Sequence, residues 1–230
     1  MIINHEYKFI FIKTRKTAGT SLEIALSKFC GEQDVITPVK KKDEELRQNA
    51  GFRGPQNEKI PWKFYIPSDY ITSLLEKKPR RFYNHAGIHL IKKSIPRNIW
   101  DRYYKFTIER DPFDKAVSRY FWSTRNERPD GLTEYLDSAP AELLSNWELY
   151  TDNDQIAVDH VIRYENLQEE LGQLCQKLAL PETLELPHAK GSFRKNREHY
   201  SRIIPPEARK RIEVVCAREI AAFGYKWVDA

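Results

Sequence analysis

The strongest constraint on the fold lies at the start of the chain. Tyr7–Lys13 reads YKFIFIK, a run dense in aromatic and β-branched residues that predicts a buried strand. Thr14–Gly19 is a polar loop. Beyond it, Leu22, Ala25, Leu26 and Phe29 recur at helical spacing and predict a helix from about Thr20 to Phe29. A strand, a loop and a helix in that order are the opening unit of an α/β fold.

The rest of the chain fits that beginning. Gly31–Pro67 contains Pro38, Gly51, Gly54, Pro55, Pro61 and Pro67 and predicts a long, largely irregular segment, of the kind that is usually functional or mobile. A helix is expected from Ser68 to Lys78, with Ser68 as its N-cap. Tyr103–Glu109 predicts a second strand. The turn Arg110-Asp111-Pro112 then opens a helix to about Asn126, with Asp111 suited to the N-cap and Pro112 to the first helical position. Gly131–Tyr150 reads as helix broken near Pro140, and His160–Tyr164 as a short strand. Leu167, Leu171, Leu174 and Leu178 mark another helix. A basic loop, Pro187–Ser201, precedes a final helix from Pro206 to Phe223 that Gly224 stops. Strands alternating with helices predict a three-layer, P-loop-like α/β fold with a central, mostly parallel sheet flanked by helices.

Composition excludes several classes. The 5 Trp, 12 Tyr and 11 Phe are incompatible with an intrinsically disordered chain. Three cysteines, Cys30, Cys175 and Cys216, form no CxxC pair, which argues against a disulfide scaffold or a Cys-rich zinc site. No apolar run approaches the ~20 residues of a membrane span. Asn4, His5 and Glu6 precede the first apolar run, unlike a secretory signal, so a cytoplasmic location is expected. The formal charge of +5 hides strong segregation. Lys77–Lys105 holds nine basic residues against one acid, and Leu186–Arg211 eight against two, whereas Glu127–Glu170 holds twelve acids against two bases. That pattern suits a compact anionic ligand better than a nucleic acid.

Two candidate anion sites follow. Arg15, Lys16, Thr17, Ala18, Gly19, Thr20 and Ser21 lie between strand and helix, where a helix N-terminus offers unpaired N–H groups and partial positive charge. Gly19 allows close backbone approach, the hydroxyls add donors and Lys16 a point charge. The loop follows the logic of a nucleotide P-loop but not its GxxxxGK[ST] pattern. A solvated basic turn with Thr20 or Ser21 as a simple N-cap satisfies the same residues. Arg110 at a strand end and Ser118 on the next helix offer a second grip on a phosphate, although surface residues show this spacing too.

Phe9–Leu22 (FIFIKTRKTAGTSL) resembles the 5′-phosphosulfate loop of sulfotransferases that use 3′-phosphoadenosine 5′-phosphosulfate (PAPS), and Lys105–Phe121 (KFTIERDPFDKAVSRYF) resembles their 3′-phosphate motif. Asn84–Trp100 is similar to a His-containing segment found upstream of that motif. Val161–Leu167, Leu186–Arg197 and Ala222–Trp227 resemble the family's C-terminal part. The likeness is strongest to the glycan-type branch and its bacterial relatives and covers most of the chain except about residues 31–80. It implies a single domain, 1–230, whose variable insertion at 31–80 shapes the acceptor site. Four residues depart from the family pattern: Glu109 for Val, Asp111 for Asn, Phe113 for Trp and Lys115 for Arg. Asp111 would repel a phosphate unless it is spent on capping the helix.

The resemblance implies transfer of a sulfuryl group from PAPS, with PAP as product and no metal, to an acceptor hydroxyl, a carbohydrate by analogy. Lys16 would neutralise the leaving oxygen, and His85 or, four residues on, His89 would take the acceptor proton. Arg110, Ser118, Ser192 and Arg194 would hold the donor, and Phe193, Trp122 or Trp227 would stack on adenine. Two other readings share these residues: a P-loop small-molecule kinase, and a non-catalytic module that binds a polyanion such as a sulfated glycan or RNA. The sequence leaves the oligomeric state open.

Overall fold

A computed structural model of the chain describes residues 1–124, 131–187 and 198–230. The chain opens with β1 (Ile2–Asn4) and β2 (Phe9–Phe11), then α1 (Gly19–Ser27), β3 (Val35–Ile36), α2 (Lys41–Asn49), α3 (Pro67–Glu76), α4 (Ile88–Ser94) and α5 (Arg97–Arg102). There follow β4 (Tyr104–Glu109), α6 (Pro112–Ser123) and three short helices, α7 (Leu132–Ser138), α8 (Ala141–Leu144) and α9 (Trp147–Tyr150). A small hairpin, β5 (Thr151–Asp152) and β6 (Gln155–Ile156), leads to β7 (His160–Arg163), α10 (Leu167–Lys177), α11 (Pro206–Val215) and α12 (Ala217–Phe223).

Among the described residues the main sheet has the order β3-β1-β2-β4-β7. β2 pairs with β4 and β4 with β7 in parallel, while β1 runs antiparallel to both of its neighbours, so four of the five strands share one direction. Alternation along β2 divides the core. Phe9 and Phe11 pack with Phe106 against Leu22 and Leu26 of α1 and Leu171 and Leu174 of α10. Ile10 and Ile12 pack on the other face with Ile88, Ile91 and Ile95. Burial on both faces explains why the run reads as continuously apolar. A third cluster, with Phe113, Val117, Leu136 and Ile212, joins α6, α7 and α11.

The mixed α/β architecture with its mostly parallel, helix-flanked sheet matches the expectation, and several boundaries differ. β1 was not foreseen, because Met1–Lys8 is short and interrupted by polar residues. Residues 31–67 are not simply irregular: they include β3 and α2. The mean composition of α2 is highly polar, and the helix is anchored by one fully buried side chain, Arg47, 3.9 Å from Glu23 and 3.1 Å from Glu44. α3 begins at Pro67 rather than after Ser68. Its N-cap is Ile66, whose N–H donates to the Asp69 carboxylate at 3.0 Å. The last helix is two, broken at Cys216. Asp111 and Pro112 take the expected places at the start of α6, and Gly224 closes α12 in the left-handed region, φ 66°.

Candidate active site

The site forms beyond the C-terminal ends of β2 and β4, where parallel strands leave loops free to hold ligands. The two strands stay coupled past their formal ends. The Ile12 N–H donates to the Phe106 carbonyl at 2.9 Å, the Thr107 hydroxyl to the Ile12 carbonyl at 2.7 Å, and the Thr14 hydroxyl to the Ile108 carbonyl. Thr14 also bonds the Thr17 hydroxyl at 2.8 Å, which cross-links the loop. Lys16 (φ 62°) and Ala18 (φ 60°) both occupy the left-handed region, a conformation that costs roughly 1–2 kcal/mol per non-glycine residue. Strain of this kind persists where the surroundings over-determine it.

Ala18 is the N-cap of α1 and has no side chain able to cap it, and no acid lies in the first turn. Neither Thr20 nor Ser21 is the cap. The N-terminus of α1 thus keeps its positive end directed at the loop. Gly19 has a reason different from ligand approach: a Cβ there would meet Lys13 Cγ at 2.9 Å and the Thr14 carbonyl oxygen at 3.2 Å. The glycine lets the loop close on itself.

A cavity of about 580 Å³ collects the expected residues. All of residues 15–21 line it, together with His85, Arg110 and Ser118. Six cationic residues contribute, Lys13, Arg15, Lys16, Lys40, Arg110 and Arg119, and no carboxylate is found in its described lining. The Lys16 ammonium lies 5.5 Å and that of Lys40 4.2 Å from the centre of the Trp122 ring, with the Arg119 guanidinium at 5.2 Å. Arg110 links the two motifs, since its Nη1 donates to the Lys16 carbonyl at 3.1 Å. Its Nε and Nη2 bond Asp114, and its Cζ lies 4.1 Å from the centre of the Tyr164 ring. Two of its five N–H donors have no partner among the described residues.

His85 enters from the segment before α4. Its Nδ1 lies 3.1 Å from the Lys13 carbonyl. A carbonyl only accepts, so Nδ1 carries the proton and Nε2 is left as the acceptor. Burial, and next the Lys13 charge, lower its pKa to about 3, so the imidazole is neutral. The preceding Asn84 is gripped by Lys13, whose ammonium donates to Asn84 Oδ1 and to Glu23 Oε2 at 2.6 Å each. His89 is not beside His85 on a shared helix face. It lies on α4, exposed, 3.7 Å from Asp152, and does not line the cavity. Trp122 lines the cavity, but Trp227 packs on Phe113 and Tyr200. Ser192, Phe193 and Arg194 lie outside the described residues.

The departures in the second motif have structural partners. Asp111 is spent on capping: its carboxylate accepts from the N–H groups of Phe113 at 2.8 Å and Asp114 at 3.3 Å. Glu109 and Lys115 are buried and pair with each other at 2.9 Å. Asn146 Nδ2 and the Tyr150 hydroxyl donate to Glu109 at 3.3 and 3.0 Å, and Glu219 stands 3.6 Å from Lys115. Asn146 also holds the backbone of Arg15 from both sides, at 2.9 and 3.1 Å. This buried network therefore supports the first loop.

Sequence reasoning missed Lys40, Arg119 and Tyr164 as lining residues. Tyr164 lies inside VIRYENL and Arg119 beside Ser118, so adjacency to a motif was the available signal. Lys40 sits in an otherwise unremarked lysine run and gave none.

The strand-to-helix loop and the Arg110/Ser118 pair on the neighbouring parallel strand and helix thus line one cation-rich cavity. The chain matches the sequence profile of the Sulfotransferase family over residues 1–226 and belongs to that family, whose chemistry is sulfuryl transfer. An uncharacterized protein of Archaeoglobus fulgidus is 32% identical over 102 residues, which cover 42% of this chain and 85% of that protein.

Proposed function

We propose that the chain moves a sulfuryl group from PAPS to an acceptor hydroxyl, with a carbohydrate as the acceptor class. One observation carries this reading: two motifs distant in sequence, and His85 from a third segment, line one cationic cavity with no carboxylate in its described lining. PAPS supplies the activated sulfuryl group and departs as PAP. The P-loop-like turn at residues 15–21 and the uncapped end of α1 hold its 5′-phosphosulfate. Arg110 and Ser118 hold the 3′-phosphate through charge-assisted N–H donation and a hydroxyl. Ser192 and Arg194 join them from sequence alone.

Lys16 neutralises the charge that develops on the leaving oxygen. His85 accepts the proton of the attacking hydroxyl at Nε2, because Nδ1 is held on the Lys13 carbonyl. A neighbouring anion raises the pKa of an imidazole, so a bound donor makes His85 a stronger base than burial alone allows. The transferred group carries about one negative charge, which a lysine can match, and the mechanism calls for no metal. The whole chain acts as one domain, and the insertion at 31–80 reaches the cavity through Lys40 to shape the acceptor side.

Melting temperature tests the assignment. Saturating PAP, at about 100 times its Kd, adds about 2.7 kcal/mol, or roughly 5–10 °C for a chain of this size. A shift with ATP plus Mg²⁺ and none with PAP refutes the reading, and equal salt-sensitive shifts with PAP and heparin reduce it to polyanion binding. Labelled PAPS and a panel of glycan, lipid and peptide acceptors then decide the acceptor.

A further inference from the structure

Helix α3 faces the wrong way for a helix that belongs to a soluble core. Its buried positions are the polar Asp69 and Ser73, one turn apart. Its apolar side chains, Tyr70, Ile71, Leu74 and Leu75, lie on the opposite face. Leu74 and Leu75 are 79% and 78% exposed, and Ile71, with the preceding Trp62, 61%. The helix is pinned in that orientation. Asp69 caps it through the Ile66 N–H and pairs with Arg80, and the Arg80 N–H donates to the Tyr65 hydroxyl at 2.5 Å. Trp62 stacks on Tyr65 with ring centres 5.2 Å apart, and the Tyr70 hydroxyl donates to the Trp62 carbonyl at 2.8 Å. A contiguous exposed apolar face of this kind marks an interaction surface.

The charge around the face selects its occupant. Lys63 precedes α3, Lys77 and Lys78 follow Leu75, and all three are exposed. Arg80 and Arg81 are neutralised by Asp69 and Glu58, and Glu76 is the one exposed acid on the helix. A second copy of the chain would set this basic rim against itself, because a two-fold interface joins the same patch on both partners. A surface that is apolar inside and negative outside fits the face. Trp and Tyr suit the interface between lipid and water, and lysines extend their ammonium groups to headgroups. Ten residues rise only about 15 Å, and no helix among the described residues is long and apolar enough to cross a membrane.

We propose that residues 62–78 dock this protein on the surface of an anionic lipid bilayer, with Trp62, Ile66, Ile71, Leu74 and Leu75 entering the acyl boundary and Lys63, Lys77 and Lys78 meeting the headgroups. Docking does not rest on the sulfotransferase mechanism, since none of these residues lines the cavity.

Co-sedimentation with vesicles of phosphatidylcholine, alone or mixed with phosphatidylglycerol, tests it. Binding to the mixed vesicles is expected to be at least tenfold tighter and to weaken with salt. The double substitution Leu74→Glu/Leu75→Glu should reduce it at least tenfold with the melting temperature unchanged. Lys77→Glu/Lys78→Glu, beyond the helix, gives an independent arm and should remove the preference for phosphatidylglycerol. Failure of the wild-type chain to bind either vesicle overturns the proposal. So does binding that survives the leucine substitutions, or a solution dimer that those substitutions dissolve.

Discussion

Replacing Lys115 by Met tests the buried network beneath the first loop. Lys115 is 2% exposed, and Glu109 and Glu219 are fully buried. Burial opposes the lysine charge, but Glu109, and then the other groups around it, raise its pKa above the usual lysine range. Lys115→Met leaves two carboxylates 2.9 and 3.6 Å from where the ammonium stood. Stranding one partner of a buried pair costs about 3–5 kcal/mol. Neutral donors remain: Tyr150 and Asn146 for Glu109, and the Ser145 hydroxyl at 2.7 Å and the Asn146 N–H at 3.0 Å for Glu219. The lower end, about 3 kcal/mol, is therefore expected, which lowers Tm by roughly 6–12 °C. Glu109→Gln added to Lys115→Met removes one stranded charge while keeping an acceptor for the Arg110 N–H, and should recover about half the loss. Urea denaturation of the four proteins of this cycle measures both effects. A Lys115→Met deficit below about 0.5 kcal/mol, or no recovery on adding Glu109→Gln, refutes the reasoning.

His85→Ala should lower kcat by about 10²–10⁴-fold with PAP affinity within about twofold of wild type. Titration calorimetry with PAP alongside single-turnover assays separates the two, and lost PAP affinity would make His85 a donor-binding or structural residue. Acid should act through Glu23. Burial pushes this carboxyl up, but Lys13 and the Met1 ammonium more than reverse that and hold it at about 2, against 4.5 for a free group. Its contribution, on the order of 3 kcal/mol, is fully present above pH 4.5 and lost as pH falls toward 2. Glu23→Gln should flatten this acid limb in denaturation curves at pH 3 and 6, and an unchanged limb would exclude Glu23 as its source.

The order of the elements was legible wherever local pattern and packing agree. Phe9–Phe11 alternates across two cores, and Asp111-Pro112 satisfies both the cap and the first turn of α6. The lining of the candidate site was legible where chain adjacency places it, at 15–21 and at 110 and 118. Pairings across the fold were not. Nothing local tells that Glu109 and Lys115, read singly as departures, neutralise each other, or that Arg47 in a polar helix reaches Glu23. α3 shows a further limit: periodicity reveals an apolar stripe but not which way it faces, and here the capping Asp69 and its partner Arg80 decide that it faces out.

Charge counts in the sequence also overstate what a ligand meets. The chain neutralises the cations it buries: Lys13 against Glu23, Lys115 against Glu109, and Arg110 in part against Asp114. Arg15 and Arg119 are treated differently. They line the cavity without a carboxylate ion pair among the described residues, and burial, then the charge of Arg119, lowers the pKa of Arg15. A partly buried guanidinium held beside a second positive charge opposes folding. That cost persists because Thr14, Thr17 and Asn146 tie down the loop that carries Arg15, while Arg119 is held on α6. Under the proposed function, an anionic donor bound beside these residues would offset that cost, and the same unfavourable electrostatics would add to donor affinity.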